Sequence, residues 1–315
     1  MKKNLTIPFI LLLSIITFAA SPTWETPKQV RVASFAVNEY SHAYYGNIKN
    51  LNRSDRHERM FIETLFSRVK QKYPNKKTYT TYRDFNISAK KDQYGTAVLY
   101  QSEIVFFSGH GKPQQICLYD YPMNISSGCG SDVCPNDQCG KVYGGETRWV
   151  IFDACLTLNV NKDGKLEKPL TAETVDLSKV GKLISVFKGV HAILGFYSLS
   201  WEDYKYADFV YASENLYDYF TKYFIEEGET IWDSFNMANA DLVNDFTRFG
   251  RHTGLKPAIA FLRGFDENGI YHDTSMDRFD HTFNRPIKIN GSLEFFVMYD
   301  VHGEPEFYSP DTAWI

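Results

Sequence analysis

No run of basic residues occurs in the chain: 34 Lys and Arg stand against 38 Asp and Glu, for a formal net charge of −4. A nucleic-acid surface concentrates positive charge, so no nucleic-acid partner is expected. Internal repeats and low-complexity tracts are absent as well. Long apolar runs are scarce. The stretch Ile7 to Ala20 is interrupted by Pro8, Ser14 and Thr17 and falls short of the roughly 20 residues that a spanning helix needs. It follows Lys2 and Lys3 and ends in Ala19, Ala20 and Ser21, the grammar of a secretory signal with a small-residue cleavage site. Residues 1–21 are therefore expected to be a signal peptide, with an uncleaved anchor as the alternative. No Cys lies there to take a lipid. The mature chain is expected to be secreted, periplasmic or extracellular, with no membrane contact after cleavage.

Cysteine is sparse, five in all, and unevenly placed. Cys117, Cys129, Cys134 and Cys139 fall within 23 residues among turn-forming Gly, Ser, Asn, Asp and Pro. Their spacings of 11, 4 and 4 intervening residues lack the Cys-x₂-Cys pair of a zinc knuckle, so no metal is expected. An exported chain meets an oxidising compartment where disulfides persist, and two bridges are expected here, in any of three connectivities. Cys155 is then the odd thiol.

Cys155 ends one of two apolar runs of similar design. The first is Ile104-Val105-Phe106-Phe107-Ser108-Gly109-His110-Gly111, and the second is Trp149-Val150-Ile151-Phe152-Asp153-Ala154-Cys155. Each opens with β-branched and aromatic residues too few for a helix, the pattern of a buried strand in a parallel sheet. Carboxyl ends of such strands line the crevice where ligands bind, so neighbouring strands would bring His110 and Cys155 to one edge. A thiol with an imidazole beside it can perform acyl chemistry. The thiolate is the reactive form, and its free pKa of about 8.5 falls near an imidazolium. His110 would deliver the proton to the leaving amine. Asp153, two residues before Cys155, is expected to support the His-Gly loop rather than to react. His42, His57, His191, His252, His272 and His281 have no comparable context, and His191 is expected to be a core histidine.

The pair of runs, ending in His110-Gly111 and in Asp153-Ala154-Cys155, resembles the caspase-like cysteine peptidases, the group of caspases, legumain, gingipain, clostripain and separase. The likeness extends loosely over residues 28–265 and is closest to a family of caspase-like domains found in exported bacterial proteins. It implies a Cys-His dyad and an oxyanion hole made by the backbone N–H groups of Gly111 and Cys155. The sequence around the thiol, Asp-Ala-Cys-Leu-Thr, departs from the Gln-Ala-Cys-Arg-Gly of caspases, so preference for aspartate is not implied.

Alternating patterns fix the rest of the layout. Strands are expected at Gln29 to Val37, Tyr79 to Asn86, Glu103 to Ser108, Arg148 to Phe152, Val190 to Tyr197 and Ala258 to Leu262. Helices are expected at Arg53 to Lys72, Leu177 to Phe187, Tyr204 to Ile225 and Thr230 to Phe246. Such alternation predicts a three-layer, doubly wound, mostly parallel α/β sheet of caspase-like type. It would occupy residues 22–270, with a disulfide-rich insertion at about 117–139 and a β extension over 271–315. Asn159 to Gly164 imitates half of a calcium loop, but Leu170 stands where a bidentate Glu is required, and a turn is expected. Trp201, Glu202 and Asp203, an aromatic between two carboxylates after a strand, are candidates for a substrate pocket or for a capped helix start.

The function expected is a secreted cysteine endopeptidase acting on a peptide or protein substrate without a cofactor. Two other readings remain open: an inactive caspase-like binding module at the cell envelope, and a Cys-dependent transpeptidase. Oligomeric state is not legible.

Overall fold

The structure, a computed structural model, describes residues 24–25, 29–41, 45–46, 48–89, 102–120, 122–125, 147–162, 175–184, 186–187, 190–198, 204–206, 209–211, 215–247, 255–265, 269–280, 282–283 and 294–300. The expected signal peptide, Cys129, Cys134, Cys139 and Trp201 to Asp203 lie outside them.

Eight strands form the central sheet: β1 (Gln29–Ala36), β2 (Lys77–Phe85), β3 (Ile104–Ser108), β4 (Trp149–Asp153), β5 (Ala192–Phe196), β6 (Pro257–Phe265), β7 (Tyr271–Asp273) and β8 (Glu294–Tyr299). Their order is β7-β6-β5-β4-β3-β1-β2, with β8 also on β6. Strands β2, β1, β3, β4 and β5 run parallel, whereas β6 pairs antiparallel with β5, β7 and β8. The protein is thus α/β with a mostly parallel sheet and flanking helices. Every residue of β3, β4 and β5 is buried, because both faces are covered, and apart from Ser108 and Asp153 at the strand ends none carries a polar side chain.

The helices are α1 (Ser54–Lys72), α2 (Leu177–Ile184), α3 (Asn215–Thr221) and α4 (Ile231–Thr247). On one face Phe61, Leu65 and Val69 of α1, with Leu216 of α3 and Phe235 of α4, pack on Ile104, Phe106, Trp149 and Ile151. On the other, Leu183 of α2 joins Ile116, Cys117 and Met123 over Val105, Phe107, Val150 and Phe152. Ile116, Cys117 and Met123 come from a small antiparallel sheet of Gly111–Lys112, Gln115–Cys117 and Pro122–Asn124. Alternation of side chains across each strand separates the two cores.

The helix expected from Tyr204 to Ile225 is not what forms. Tyr204–Tyr206 and Phe209–Tyr211 pair as an antiparallel hairpin, and the helix starts only at Asn215. Aromatic and β-branched residues in Tyr-Lys-Tyr and Phe-Val-Tyr favour extended chain, and the helical period belongs to the second half alone. A π-helical turn, Lys222–Glu227, follows α3 and stops at Gly228, whose φ of 76° gives the left-handed cap. The alternating run Glu294 to Tyr299 joins the central sheet along six residues of β6.

Candidate active site

Chain order fixes where the site lies. The chain passes from β1 to β2 on one side, then to β3 on the other side of β1, so the sheet reverses direction between β1 and β3. A crevice opens at such a switch point, outside the carboxyl ends of the strands. The last paired residues of β3 and β4 are Ser108 and Asp153. His110 and Cys155 each stand two residues beyond that pair, on strands about 4.8 Å apart. The two residues singled out by sequence therefore leave the same edge in the same register.

The turn after each strand is tight. A Cβ on Gly111 would lie 2.3 Å from the Cys155 carbonyl oxygen and 3.0 Å from its nitrogen, a space only glycine fits. Cys117 N–H donates to the His110 carbonyl at 2.9 Å, and Gly111 stands opposite Ile116. That makes Gly111 a non-hydrogen-bonded ladder position, with its N–H outside the hairpin ladder. After Cys155, Leu156 holds a φ of 59° and donates its N–H to the Ser198 carbonyl at 2.8 Å. A left-handed leucine costs about 1–3 kcal/mol and marks a turn enforced by its surroundings.

His110 is 8 % exposed, while Cys155 is half-buried. The His110 Nε2 lies 2.6 Å from the Lys49 carbonyl oxygen. A carbonyl only accepts, so Nε2 carries the hydrogen and Nδ1 keeps the lone pair. Tyr40 supports the ring from the side, with centroids 5.0 Å apart. Its hydroxyl accepts the His110 backbone N–H at 2.7 Å and donates to the Val37 carbonyl. Burial, then the charges of Lys112 and Lys49, hold the His110 pKa below its usual value, against an opposing effect of the Lys49 carbonyl. Both effects disfavour the imidazolium form of His110.

Asp153 differs from its expected place. Its backbone carbonyl does receive the Gly109 N–H at 3.1 Å. Its carboxylate, however, turns to the α1 layer: Oδ2 is 2.5 Å from His57 Nδ1 and accepts the Ser108 hydroxyl at 2.6 Å. His57, Tyr40 and Lys49 were not marked by sequence. The available signal was Asp153 itself, a carboxylate in a buried strand that demands donors.

Cys117 corrects another expectation, for it is a free thiol. It sits fully buried in the core beside Ile116 and Leu118, where burial raises its pKa to about 12. Strand pairing turns it inward into that core, so Cys117 takes no part in the expected bridges, while Cys129, Cys134 and Cys139 lie outside the described residues.

His191 bonds Asp277 at 2.6 Å with both side chains fully buried, at the amino end of β5 and far from Cys155. Asn159 is buried and donates to the Tyr197 carbonyl, a structural use. Among the described residues no cluster of metal-ligating side chains occurs, and no helix is long and apolar enough to cross a membrane. A cleft of about 320 Å³, lined by Asp55, Glu58, Arg59, Arg83 and Asp84 among others, opens at the ends of β1 and β2 on the same sheet edge.

The mostly parallel central sheet with flanking helices defines the class of protein as mixed α/β. Within it, the chain belongs to the family described as Domain of unknown function (DUF6345), whose model matches residues 35–242, from β1 into α4 and across both His110 and Cys155. No curated protein matches the chain.

Proposed function

We propose that the chain is an exported cysteine endopeptidase of caspase-like type, with Cys155 as nucleophile and His110 as its base. The observation that carries this reading is the contact of Gly111 with the Cys155 backbone, which sets the His110 turn directly against the thiol-bearing turn. Nδ1 of His110 takes the Sγ proton, and sulfur attacks the scissile carbonyl carbon. The oxyanion forms beside the Gly111 and Cys155 N–H groups, where one such donor contributes about 3 kcal/mol. His110 returns the proton to the nitrogen as the C–N bond breaks, leaving a thioester. Water, deprotonated by the same imidazole, then releases the acid and the free thiol. The Lys49 carbonyl keeps the ring oriented through the cycle by holding Nε2–H. The half-buried thiol suits a substrate that arrives from solvent and binds across the edge.

The test is incubation of the chain lacking residues 1–21 with a pool of unstructured peptides, read by mass spectrometry. Cleavage that disappears in Cys155→Ala supports the proposal. Cleavage that persists at the wild-type rate in that variant sinks it.

A further inference from the structure

The strand ends that carry the dyad are joined by a second cluster, on the α1 side of the sheet. Asp153 Oδ2 is gripped twice, by the Ser108 hydroxyl at 2.6 Å and by His57 Nδ1 at 2.5 Å. An ionised carboxylate only accepts, so both partners donate. The His57 and Asp153 side chains are each 5 % exposed. Tyr217, fully buried above the His57 ring at 5.9 Å, has its hydroxyl pKa raised well above normal by burial and by the Asp153 charge. The next residue on α1, Glu58, accepts from Ser34 of β1 at 2.6 Å and holds Arg83 of β2 in a two-point contact. Two consecutive α1 residues thus fasten its first turn to the carboxyl ends of three parallel strands, β4, β1 and β2, and through Asp153 to Ser108 of β3.

The placement is what matters. Ser108 and Asp153 are the last partners of the β3–β4 ladder, two residues before His110 and Cys155. Beyond them no strand pairing holds the two chains in step. The Asp153 carbonyl adds a bond to Gly109 N–H, next to His110. A buried polar cluster is poor value as a source of stability alone, since an apolar set of equal volume commonly does as well or better. Its position at the last ladder rung gives it another use. We propose that His57 and Ser108 are positioning residues: by gripping the Asp153 carboxylate from α1 and from β3, they lock the two strand ends so that the His110 imidazole and the Cys155 thiol stay in register. This inference rests on the reading of those two residues as a dyad.

The test compares His57→Ala, Ser108→Ala and the conservative His57→Asn, whose amide nitrogen can take the place of Nδ1, with Glu103→Gln, just before the amino end of β3, as control. Three readouts are taken on the chain lacking residues 1–21: amide hydrogen exchange at Gly109 and Gly111, the pH profile of Cys155 alkylation by iodoacetamide, and kcat and KM on cleaved peptides. His57→Ala and Ser108→Ala should speed exchange at Gly109 by about tenfold or more while Val150 is unchanged. They should lower kcat by about 10-fold to 100-fold, the usual contribution of groups that orient a reactive side chain, with KM little moved and the alkylation profile displaced. His57→Asn should restore most of the loss. Variants that lower the melting temperature but leave exchange, alkylation profile and kcat as in the wild type would overturn the inference. A wild type that cleaves nothing, and whose Cys155 alkylates as a simple thiol, instead removes the dyad reading. The exchange at Gly109 still decides whether the clamp holds the loop.

Discussion

Gly111 and Cys155 touch through their backbones: a Cβ on the first would stand 2.3 Å from the carbonyl oxygen of the second. The obstacle is main chain, which cannot swing aside as a side chain can. Gly111→Ala should therefore push the two turns apart and destabilise the protein by about 1–3 kcal/mol, the usual penalty of overpacking. If Gly111 N–H faces the oxyanion, kcat should fall by about 100-fold or more. Thermal unfolding and peptide cleavage measured on the same preparation separate the two effects. An Ala variant with wild-type kcat would remove Gly111 from the mechanism.

The two dyad residues should behave as one unit. Cys155→Ala and His110→Ala are each expected to abolish turnover while far-ultraviolet circular dichroism stays unchanged. The double variant should be little worse than either single, because neither group is useful alone. Asp153→Asn should impair turnover only in part, since it keeps a carbonyl oxygen for Ser108 but weakens the His57 contact. Single losses that simply multiply in the double variant would argue for independent roles.

The depressed His110 pKa gives the pH dependence a sign. Burial is the largest cause, followed by the nearby positive charges of Lys112 and Lys49. A base is active when deprotonated, so kcat/KM should rise with pH along a limb lying below the ordinary histidine value of about 6.5. Lys112→Gln removes one of the charges that disfavour the imidazolium. The limb should then move to higher pH, and added salt should move the wild-type limb the same way by screening. A limb that stays fixed in the Lys112 variant would remove the Lys112 charge from the causes of the shift.

The two described thiols should react unequally. Burial raises the Cys117 pKa to about 12, and its side chain is enclosed by the core. Cys155 is half-buried at the turn after β4. Native alkylation followed by peptide mass mapping should label Cys155, and Cys117 only after unfolding. Label on Cys117 at the native rate of Cys155 would contradict the inward strand face described above.

Much of this fold was legible in the sequence for reasons that can be named. Ile104 to Phe107 and Trp149 to Phe152 announce buried parallel strands because both of their faces are apolar. Once those strands are neighbours, His110 and Cys155 must share an edge, so the pairing followed from two short motifs. Partners brought in by tertiary contact were not legible. His57 lies 96 positions from Asp153 on a helix whose period marks only its apolar stripe. The Lys49 carbonyl has no side-chain signature at all. Cys117 misled because proximity in sequence stood in for proximity in space: a strand residue whose side chain turns into the core is enclosed by apolar neighbours. The hairpin at Tyr204 to Tyr211 was hidden because aromatic residues satisfy helical and extended periods equally over short spans.

The opposite end of the sheet should separate stability from chemistry. Asp277 is fully buried and accepts from His191 Nδ1 at 2.6 Å and from Trp149 Nε1 at 3.2 Å. Ile231 N–H also donates to its backbone carbonyl at 2.7 Å, which ties the start of α4 to the same point. Removing the carboxylate in Asp277→Ala strands two buried donors, and breaking a buried pair in this way costs about 3–5 kcal/mol. Asp277→Asn keeps one acceptor oxygen and should lose less, which guards against a variant that simply fails to fold. Urea midpoints should fall in the order wild type, Asn, Ala. Trp149 and His191 lie at the amino ends of β4 and β5, whereas Cys155 leaves the carboxyl end of β4, so the rate of Cys155 alkylation per folded molecule should not change. A slowed alkylation in folded Asp277→Asn would mean that the two ends of β4 are coupled, and that the reactive edge is not set by its local contacts alone.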